Sequence, residues 1–439
     1  MTDGLWDGDA VVIPAITAAS SISCVRSLGR RGIHTIAASE DERSPVFSSK
    51  YCDECVVVPS PADDVVGYKD ALLSLARRTD VRAITPVREE DVYVLSRYRP
   101  EFESHVAPLW PRFETLRAVH DRVRLMEVAT EAGVSAPETS LLGDVDDWDD
   151  ELVVKGRYAI LVDEYLDSPS SGGCRDPGPT TYLSPGEAPD VPAIVSEMGH
   201  EPIVQEYVPG DEYAFWALYD RGEPVATCQR RRIRGYKYAG NASIFRETVA
   251  EPDLEAAGRA LLDRLDWHGL AAAQFIRDDR TGEFRLMEVN PRFWLSVPAA
   301  VLAGADFPYF YWLLATGDAE RIDPDYEVGV ATHLLSGEAS YLHSVLRDDF
   351  SYVERPRFVD AASAVLSSLV AEPHFDYLCR DDPRPFVRVL LNAVAASGGR
   401  LPMSNPFESR ASVVDDPDAH TSGPGREGRA GSTSRREGR

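Results

Sequence analysis

Lysine is nearly absent from this sequence. Among 439 residues it occurs only at Lys50, Lys69, Lys155 and Lys237, whereas Asp and Glu together number 72. The formal net charge of -26 would repel a phosphate backbone, so the composition argues against nucleic acid binding. Adaptation to high salt and a GC-rich genome that favours Arg over Lys each explain this composition. Each remaining lysine is therefore a candidate for a specific role.

Long apolar runs are also missing. No stretch reaches the length that spans a bilayer, and the N-terminus lacks a basic segment followed by an apolar one. We therefore expect a cytoplasmic protein without membrane contact. The six cysteines do not form a disulfide scaffold in a chain of this length. Cys52 and Cys55 have zinc-like spacing, but no second Cys or His pair is placed to complete the site.

A glycine-rich dinucleotide fingerprint is the third absence. Residues 10–115 alternate short apolar runs with helical patterns, which is typical of βα units and a parallel sheet. The first strand-to-helix turn, residues 14–20, has no glycine through which the backbone could approach a pyrophosphate. An NAD-dependent enzyme is therefore poorly supported.

The clearest chemical motif lies on one apolar strand, where residues 286–292 read LMEVNPR. Side chains two apart on a strand share a face, so Glu288 and Asn290 direct their oxygens toward one place. Two hard oxygen ligands, with room for water and phosphate oxygens, are typical of a nucleotide-bound Mg²⁺. A solvent-facing polar pair on an edge strand is the alternative interpretation.

A hairpin places a third oxygen ligand beside this pair. Two apolar strands flank a turn at 279–283, and pairing them about its centre sets Gln274 opposite Glu288. Gln274, Glu288 and Asn290 would then converge as metal ligands. We expect the apolar residues Ile276 and Leu286 to share this face, which argues against a polar strip fully exposed to solvent.

The pattern of Gln274, Glu288, Asn290 and Arg292 resembles the ATP-grasp superfamily of ATP-dependent ligases, and it looks most like the carbamoyl phosphate synthase large-subunit branch. The resemblance implies that the first three residues hold Mg²⁺, with Mn²⁺ as an alternative metal. It also implies that Arg292 contacts the γ-phosphate or the phosphorylated intermediate. Arg292 is therefore a candidate catalytic residue.

The same resemblance implies a mixed α/β and α+β architecture. We expect an N-terminal parallel-sheet pre-ATP-grasp domain, followed by a two-lobed ATP-grasp domain. Apolar spacing then predicts a helical C-terminal extension, and a polar, glycine-rich composition predicts a disordered tail. The expected boundaries are 1–115 for the N-terminal domain, 116–195 for the small nucleotide lobe, 196–335 for the catalytic lobe, 336–403 for the extension and 404–439 for the tail.

Residues 204–212, VQEYVPGDE, resemble the hinge between the two lobes of the family. The resemblance implies that the main chain at Tyr207 and Val208 binds the adenine edge, with Glu206 beside it. It also implies that Glu212 accepts hydrogen bonds from the ribose hydroxyls, which suits a carboxylate. An ordinary strand and turn with solvated acids is the alternative.

Two cations near this hinge would bind the phosphates of ATP. Lys155 ends an apolar strand where the family places the lysine or arginine that contacts the α- and β-phosphates, and a compact ammonium suits that role. Arg122 matches the basic residue that opens the first helix of the nucleotide lobe. Arg124 offers an equivalent charge on that helix, so a solvated helix face is the alternative for Arg122.

The densest run of basic residues in this acidic chain lies between the hinge and the hairpin, at 230–246. A strongly acidic chain that gathers arginines locally is expected to bind an anion there. We expect Arg234 and Arg246 to face inward as catalytic residues. A solvated charge run is the alternative.

The glycine-rich loop that covers the phosphates in this family has no clear counterpart. Residues 170–173, SSGG, fit only remotely and lie far downstream of Lys155. The Pro-, Gly- and Ser-rich excursion at 163–190 is expected to be a long loop or insertion, and whether it replaces the lid is left open.

The predicted function is that of an ATP-dependent, Mg²⁺-requiring ligase. It would join a small carboxylate to an amine through an acyl phosphate. Such a reaction is catalysed mainly by positioning of the reactants and by neutralisation of phosphate charge, which the candidate cations could supply. An ATP-binding regulatory or partner protein without ligase activity is the alternative. The identity of both substrates and the oligomeric state stay open, with a homodimer as one alternative.

Overall fold

The computed structural model describes residues 8–166, 172–350 and 352–396. The tail that we expect to be disordered, residues 404–439, lies outside the described residues. So do Ser170 and Ser171 of the candidate lid.

The N-terminal part is a parallel sheet flanked by helices. Its strand order is β3-β2-β1-β4, and every pairing is parallel. The strands are β1 (Ala10–Pro14), β2 (His34–Ser39), β3 (Glu54–Val57) and β4 (Val81–Ile84). The helices are α1 (Ala19–Gly29), α2 (Val65–Ala76), α3 (Glu89–Arg97), α4 (Arg99–Phe102) and α5 (Phe113–His120). Strands β1 and β2 are buried at every position, as their apolar runs predict.

A small antiparallel sheet follows, in the order β5-β8-β6-β7. Its elements are α6 (Arg122–Glu131), β5 (Thr139–Leu141), β6 (Leu152–Lys155), β7 (Thr181–Leu183), α7 (Val191–Met198) and β8 (Ile203–Glu206). The Asp121 side chain accepts a hydrogen bond from the Val123 N–H and caps α6. Strand β7 lies inside the excursion at 163–190, so the described part of that segment is not all loop.

The largest sheet has six strands in the order β13-β12-β9-β10-β11-β14. The strands are β9 (Gly210–Asp220), β10 (Glu223–Lys237), β11 (Gly240–Val249), β12 (Gly269–Asp278), β13 (Phe284–Asn290) and β14 (Ala331–His333). Helices α8 (Pro252–Arg264), α9 (Val297–Leu302) and α10 (Phe307–Thr316) belong to the same region. One face buries Phe215, Phe275 and Val289 in a core that also contains Leu125 and Leu261 of α6 and α8. The opposite face is called the site face below.

The C-terminal region is helical, as its apolar spacing predicts. It comprises α11 (Leu335–Arg347), α12 (Phe358–Ala371) and α13 (Arg384–Ala396). Buried ion pairs attach it to the rest of the molecule: Glu338 to Arg234, Asp376 to Arg246, and Asp382 to Arg26. The first two arginines lie on β10 and β11, and the third lies on α1. The extension is therefore anchored both to the largest sheet and to the N-terminal part.

Within the described ranges, no helix is long and apolar enough to cross a membrane. The sulfur atoms of Cys52 and Cys55 lie 3.7 Å apart. The described part of the chain contains no group of three or more His, Cys, Asp or Glu side chains that could hold a metal ion.

Candidate active site

The hairpin of β12 and β13 pairs Gln274 directly with Glu288, in the register that the sequence predicts. The register then shifts, because Phe275 pairs with Leu286. One extra residue in β13 forms a bulge, and a bulge reverses the alternation of side chains beyond it. The expectation for Leu286 is therefore wrong: it is buried in the core with Phe275, on the face opposite Glu288.

A row of paired residues crosses the site face from one strand to the next. The row consists of Thr248, Arg230, Ala214, Gln274 and Glu288 on β11, β10, β9, β12 and β13. Three strand spacings separate Arg230 from Glu288, which is about 14 Å between backbones. Long side chains on this row can therefore contact different parts of one extended ligand.

Glu288 is an ionised carboxylate held by cations and an amide. Its Oε2 accepts a hydrogen bond from Arg122 Nη2 at 3.0 Å, and its Oε1 accepts one from Asn290 Nδ2 at 3.0 Å. Burial alone would raise the pKa of Glu288. The charge of Arg122, the hydrogen bond from Asn290 and the nearby charge of Lys155 outweigh burial and lower that pKa to about 2. A hard oxygen ligand is thus available at neutral pH.

Lys155 lies at the end of β6, next to these charges. Burial lowers its pKa to about 7; the charge of Arg122 acts in the same direction, and the charge of Glu288 opposes them. The negative charge of Glu288 therefore compensates the Lys155 ammonium only in part. A phosphate group at this position would supply further negative charge.

Arg122 connects the small lobe to the hairpin. Its Nη1 donates to the carbonyl oxygens of Gly156 at 2.7 Å and Tyr158 at 3.0 Å, while its Nη2 bonds Glu288. Two of its nitrogens are thereby fixed, and its Nε is a buried atom without a partner in the described residues.

Arg292 is fixed by an acid of the N-terminal part. Its Nε donates to Glu89 Oε1 at 2.7 Å, and its Nη2 donates to Asn290 Oδ1 at 3.0 Å. Glu89 begins α3 and is buried, and its second oxygen lies 3.2 Å from His120 Nε2. The geometry links the metal-ligand candidates to α3, a connection that the sequence does not reveal.

The candidate metal ligands have a donor set that suits Mg²⁺. Gln274, Glu288 and Asn290 share the site face and provide two amide oxygens and one carboxylate. Since only one of the three is charged, phosphate oxygens and water would have to supply the remaining ligands, as is usual for this ion. The residues present therefore fit a nucleotide-bound Mg²⁺.

The hinge residues lie between the two antiparallel sheets, and their acids already have protein partners. The two oxygens of Glu206 accept from Arg280 and Arg285, each at 2.7 Å. The main-chain N–H of Tyr207 donates to the Glu151 carbonyl at 3.0 Å. Val208 is buried.

Glu212 is likewise engaged by two arginines of β10. It accepts from Arg230 Nη2 at 2.5 Å and from Arg232 Nη1 at 2.6 Å. Burial would raise the pKa of Glu212, but the charges of Arg232 and Arg230 lower it below its usual range. A ribose hydroxyl would have to share this carboxylate with them.

Arg234 and Arg246, which are expected to face inward as catalytic residues, both have carboxylate partners in this structure. Both side chains face inward, but Arg246 pairs with Asp376, and both members of that pair are 1% exposed. Arg234 donates to both oxygens of Glu338 at 2.9 and 3.2 Å. The anions that these arginines bind are carboxylates of the C-terminal extension.

Arg230 is the inward-facing arginine that the sequence interpretation missed. It is 5% exposed, and only its Nη2 has a hydrogen-bond partner, while Nε and Nη1 are buried without one in the described residues. A buried guanidinium with two unused donors is costly unless a ligand binds them. The alternation of β10 could have indicated its face, but register shifts between β10 and β11 break that alternation near Arg234.

Comparison with known proteins agrees with this geometry. Residues 199–334, which contain the hinge and the largest sheet, match the model of a family described as ATP-grasp in the biosynthetic pathway with Ter operon. No curated protein matches the sequence.

Solved structures with the same fold cover most of the chain. A biotin carboxylase domain of 2-oxoglutarate carboxylase from Hydrogenobacter thermophilus, in complex with MgADP, ADP and bicarbonate, is 16% identical over 74% of each chain, with a TM-score of 0.55. An L-amino acid ligase from Bacillus licheniformis is 14% identical over 72% of this chain and 78% of its own, with a TM-score of 0.53. N5-carboxyaminoimidazole synthetase from Staphylococcus aureus, complexed with ADP, is 13% identical over 74% and 81%, with a TM-score of 0.54. These likenesses confirm the predicted fold class. The family match over residues 199–334 confirms the resemblance to the ATP-grasp superfamily.

Proposed function

We propose that this ATP-grasp protein is an ATP-dependent, Mg²⁺-requiring ligase that joins a small carboxylate to an amine through an acyl phosphate. The main support is the ionised Glu288, which shares the site face with Gln274 and Asn290 and lies beside Arg122 and Lys155. Because Glu288 stays ionised, it can bind a metal ion, and the neighbouring Arg122 and Lys155 can bind the phosphates of a nucleotide. The L-amino acid ligase and the synthetase among the solved relatives support ligase chemistry.

The cationic side chains would bind ATP along the site face. Lys155 and Arg122 would neutralise the phosphates, and Arg292 would contact the γ-phosphate. Gln274, Glu288 and Asn290 would hold Mg²⁺, which, when bound, supplies further positive charge to the phosphate oxygens. The hinge would bind the base through the main-chain carbonyl of Tyr207 and the main chain of Val208, because the Tyr207 N–H already donates to Glu151.

Arg230 is our candidate for binding the acid substrate. Its free Nε and Nη1 donors suit the two oxygens of a carboxylate, and a guanidinium binds such a group bidentately. A carboxylate oxygen would attack the γ-phosphorus, and the bond from that phosphorus to ADP would break. The amine nitrogen would then attack the acyl carbon, release inorganic phosphate and lose a proton to solvent.

These two steps need orientation and charge neutralisation more than proton transfer. An amine that arrives unprotonated requires no base from the protein, and fixed positive groups stabilise the charge that develops on phosphate oxygens. The partly buried contact of Arg292 with Glu89 would provide that fixed orientation.

An ATP-binding protein without ligase activity is the second candidate. The pairing of Arg234 and Arg246 with acids of the C-terminal extension favours it, because those arginines are not free for a substrate. The two candidates differ in whether ADP forms when acids and amines are supplied. Location in the cytoplasm and assembly as a homodimer stay predictions.

The test is Mg²⁺-dependent ADP release with pooled carboxylic acids and amines, followed by mass spectrometry of the condensed product. Glu288→Ala should abolish ADP formation and leave the circular dichroism spectrum unchanged. Glu223→Ala, at an exposed glutamate that begins β10 in the same sheet, is the matched control and should keep full activity. Undiminished turnover in Glu288→Ala would remove Glu288 from the metal site, and ATP binding without turnover in any pool would favour the second candidate.

A further inference from the structure

Three tyrosines from different parts of the chain form one cluster near the hinge. Tyr182 and Tyr352 stack with ring centroids 4.0 Å apart and planes 16° apart. Tyr207 contacts both rings edge-on, with each centroid 6.0 Å away. We call Tyr182, Tyr207 and Tyr352 the tyrosine cluster.

The cluster lies on the side of the small sheet that faces the phosphate-binding cations. Tyr182 of β7 pairs with Val153 of β6, and Val153 and Lys155 are two apart and share a face. Arg232 and Glu212 of the largest sheet are close enough to Tyr182 to influence its phenol electrostatically. Tyr182 therefore projects between the two sheets, toward the site face.

Tyr352 fills the space beside Tyr182 and the hinge. The cavity that remains there measures about 30 Å³ and is lined by the cluster together with Glu151 and Leu183. A space of this size holds about one water molecule. A second cavity at the hinge, lined by Glu206, Tyr207 and Arg280, does not include Tyr182. A planar base that stacks on Tyr182 would have to take the position of the Tyr352 ring.

The Tyr352 ring belongs to the segment between α11 and α12, which is attached to the largest sheet. Phe350 is buried and contacts the Tyr238 ring edge-on at 5.0 Å, and its N–H donates to the Tyr238 hydroxyl at 3.0 Å. Tyr238 lies in the turn between β10 and β11. This short segment thus contacts the β10–β11 turn of the largest sheet through Phe350, and its Tyr352 ring stacks on Tyr182 of the small sheet.

We propose that Tyr352 occupies the nucleotide-base position in the unliganded protein, and that ATP must displace it from Tyr182 in order to bind. This inference rests on the proposed ATP site. Nucleotide bases and aromatic side chains both stack on aromatic rings, so the base and the Tyr352 ring would compete for the same face of Tyr182. The C-terminal extension thereby lowers the apparent affinity for ATP, because only the fraction of molecules with Tyr352 displaced can bind.

The measurement is the dissociation constant of MgATP for the full-length protein, by titration calorimetry. Tyr352→Ala should tighten MgATP binding by about twofold to tenfold, the range of a lost aromatic pair. Tyr352→Phe keeps the ring and should bind like wild type. Tyr182→Ala removes the surface on which the base stacks and should bind more weakly.

Magnesium tripolyphosphate is the matched probe without a base. Its affinity should be the same for wild type and Tyr352→Ala, because it does not require the ring to move. Weaker MgATP binding by Tyr352→Ala would make Tyr352 part of the base site, and unchanged binding would place it outside that site; either result overturns the inference. If neither wild type nor Tyr352→Ala binds MgATP or tripolyphosphate, the proposed function fails as well. This result distinguishes failure of the proposed function from failure of the Tyr352 inference alone.

Discussion

Asp376→Ala should destabilise the protein strongly, because it leaves a buried arginine without its counter-charge. Arg246 and Asp376 are both 1% exposed, and removal of one partner of such a pair costs about 3–5 kcal/mol. The remaining contacts of Arg246 are weak: its Nη1 lies 3.4 and 3.5 Å from the carbonyl oxygens of Ser243 and Ile244, and its Nε has no partner among the described residues. The guanidinium would therefore remain largely unsatisfied.

The assay is urea unfolding followed by circular dichroism, with Asp360→Ala as the control. Asp360 belongs to an exposed ion pair with Arg357 on the same C-terminal extension, with side chains 65% and 84% exposed, and its loss should cost at most about 1 kcal/mol. The double variant Arg246→Met, Asp376→Leu should recover most of the stability lost in Asp376→Ala, since it removes both charges. A loss below about 1 kcal/mol in Asp376→Ala would refute the anchoring role.

The remaining predictions concern Lys155, Arg230 and Glu89. The pKa of Lys155 is lowered to about 7 in the free protein, and bound phosphate should raise it, so MgATP binding should take up protons at and above pH 7. Calorimetry in buffers of different ionisation enthalpy measures this uptake, and Lys155→Arg should abolish it. Arg230→Ala should raise the KM of the acid substrate by about 10- to 100-fold, with partial recovery in Arg230→Lys, and an unchanged KM would exclude Arg230 from that subsite. Glu89→Gln should lower kcat by up to about 100-fold with little change in the KM of ATP, because it misorients Arg292; a kcat equal to wild type would contradict this role.

Local features of the chain could be read from the sequence. The pairing of Gln274 with Glu288 follows from a short hairpin with alternating side chains, and the structure has the same register. The parallel N-terminal sheet and the C-terminal helices follow from the periods of apolar residues. The bulge that turns Leu286 into the core left no local signal, because an extra residue in one strand is defined only by the register of its partner.

Contacts between distant segments could not be read in this way. Arg234 and Arg246 are separated from Glu338 and Asp376 by 104 and 130 residues, so no spacing rule relates them. Tyr352 reaches Tyr182 from a segment between two helices, where a lone aromatic residue has no characteristic pattern. The sequence predicts which residue types can bind an anion, and the tertiary fold decides whether that anion is a ligand or a carboxylate of the chain itself.

The distribution of arginines therefore changes what the acidic composition means for the site. A chain with a net charge of -26 has abundant carboxylates. A buried carboxylate is compatible with a stable fold only when it forms an ion pair with a cation. Arg234 and Arg246 of the basic run pair with Glu338 and Asp376 and join the C-terminal extension to the largest sheet, and Arg26 of α1 pairs with Asp382. Arg230 and Lys155 differ from these arginines, since one has unused buried donors and the other has a lowered pKa. Incomplete compensation, rather than the local density of positive charge, is the feature that identifies a side chain available to an external anion.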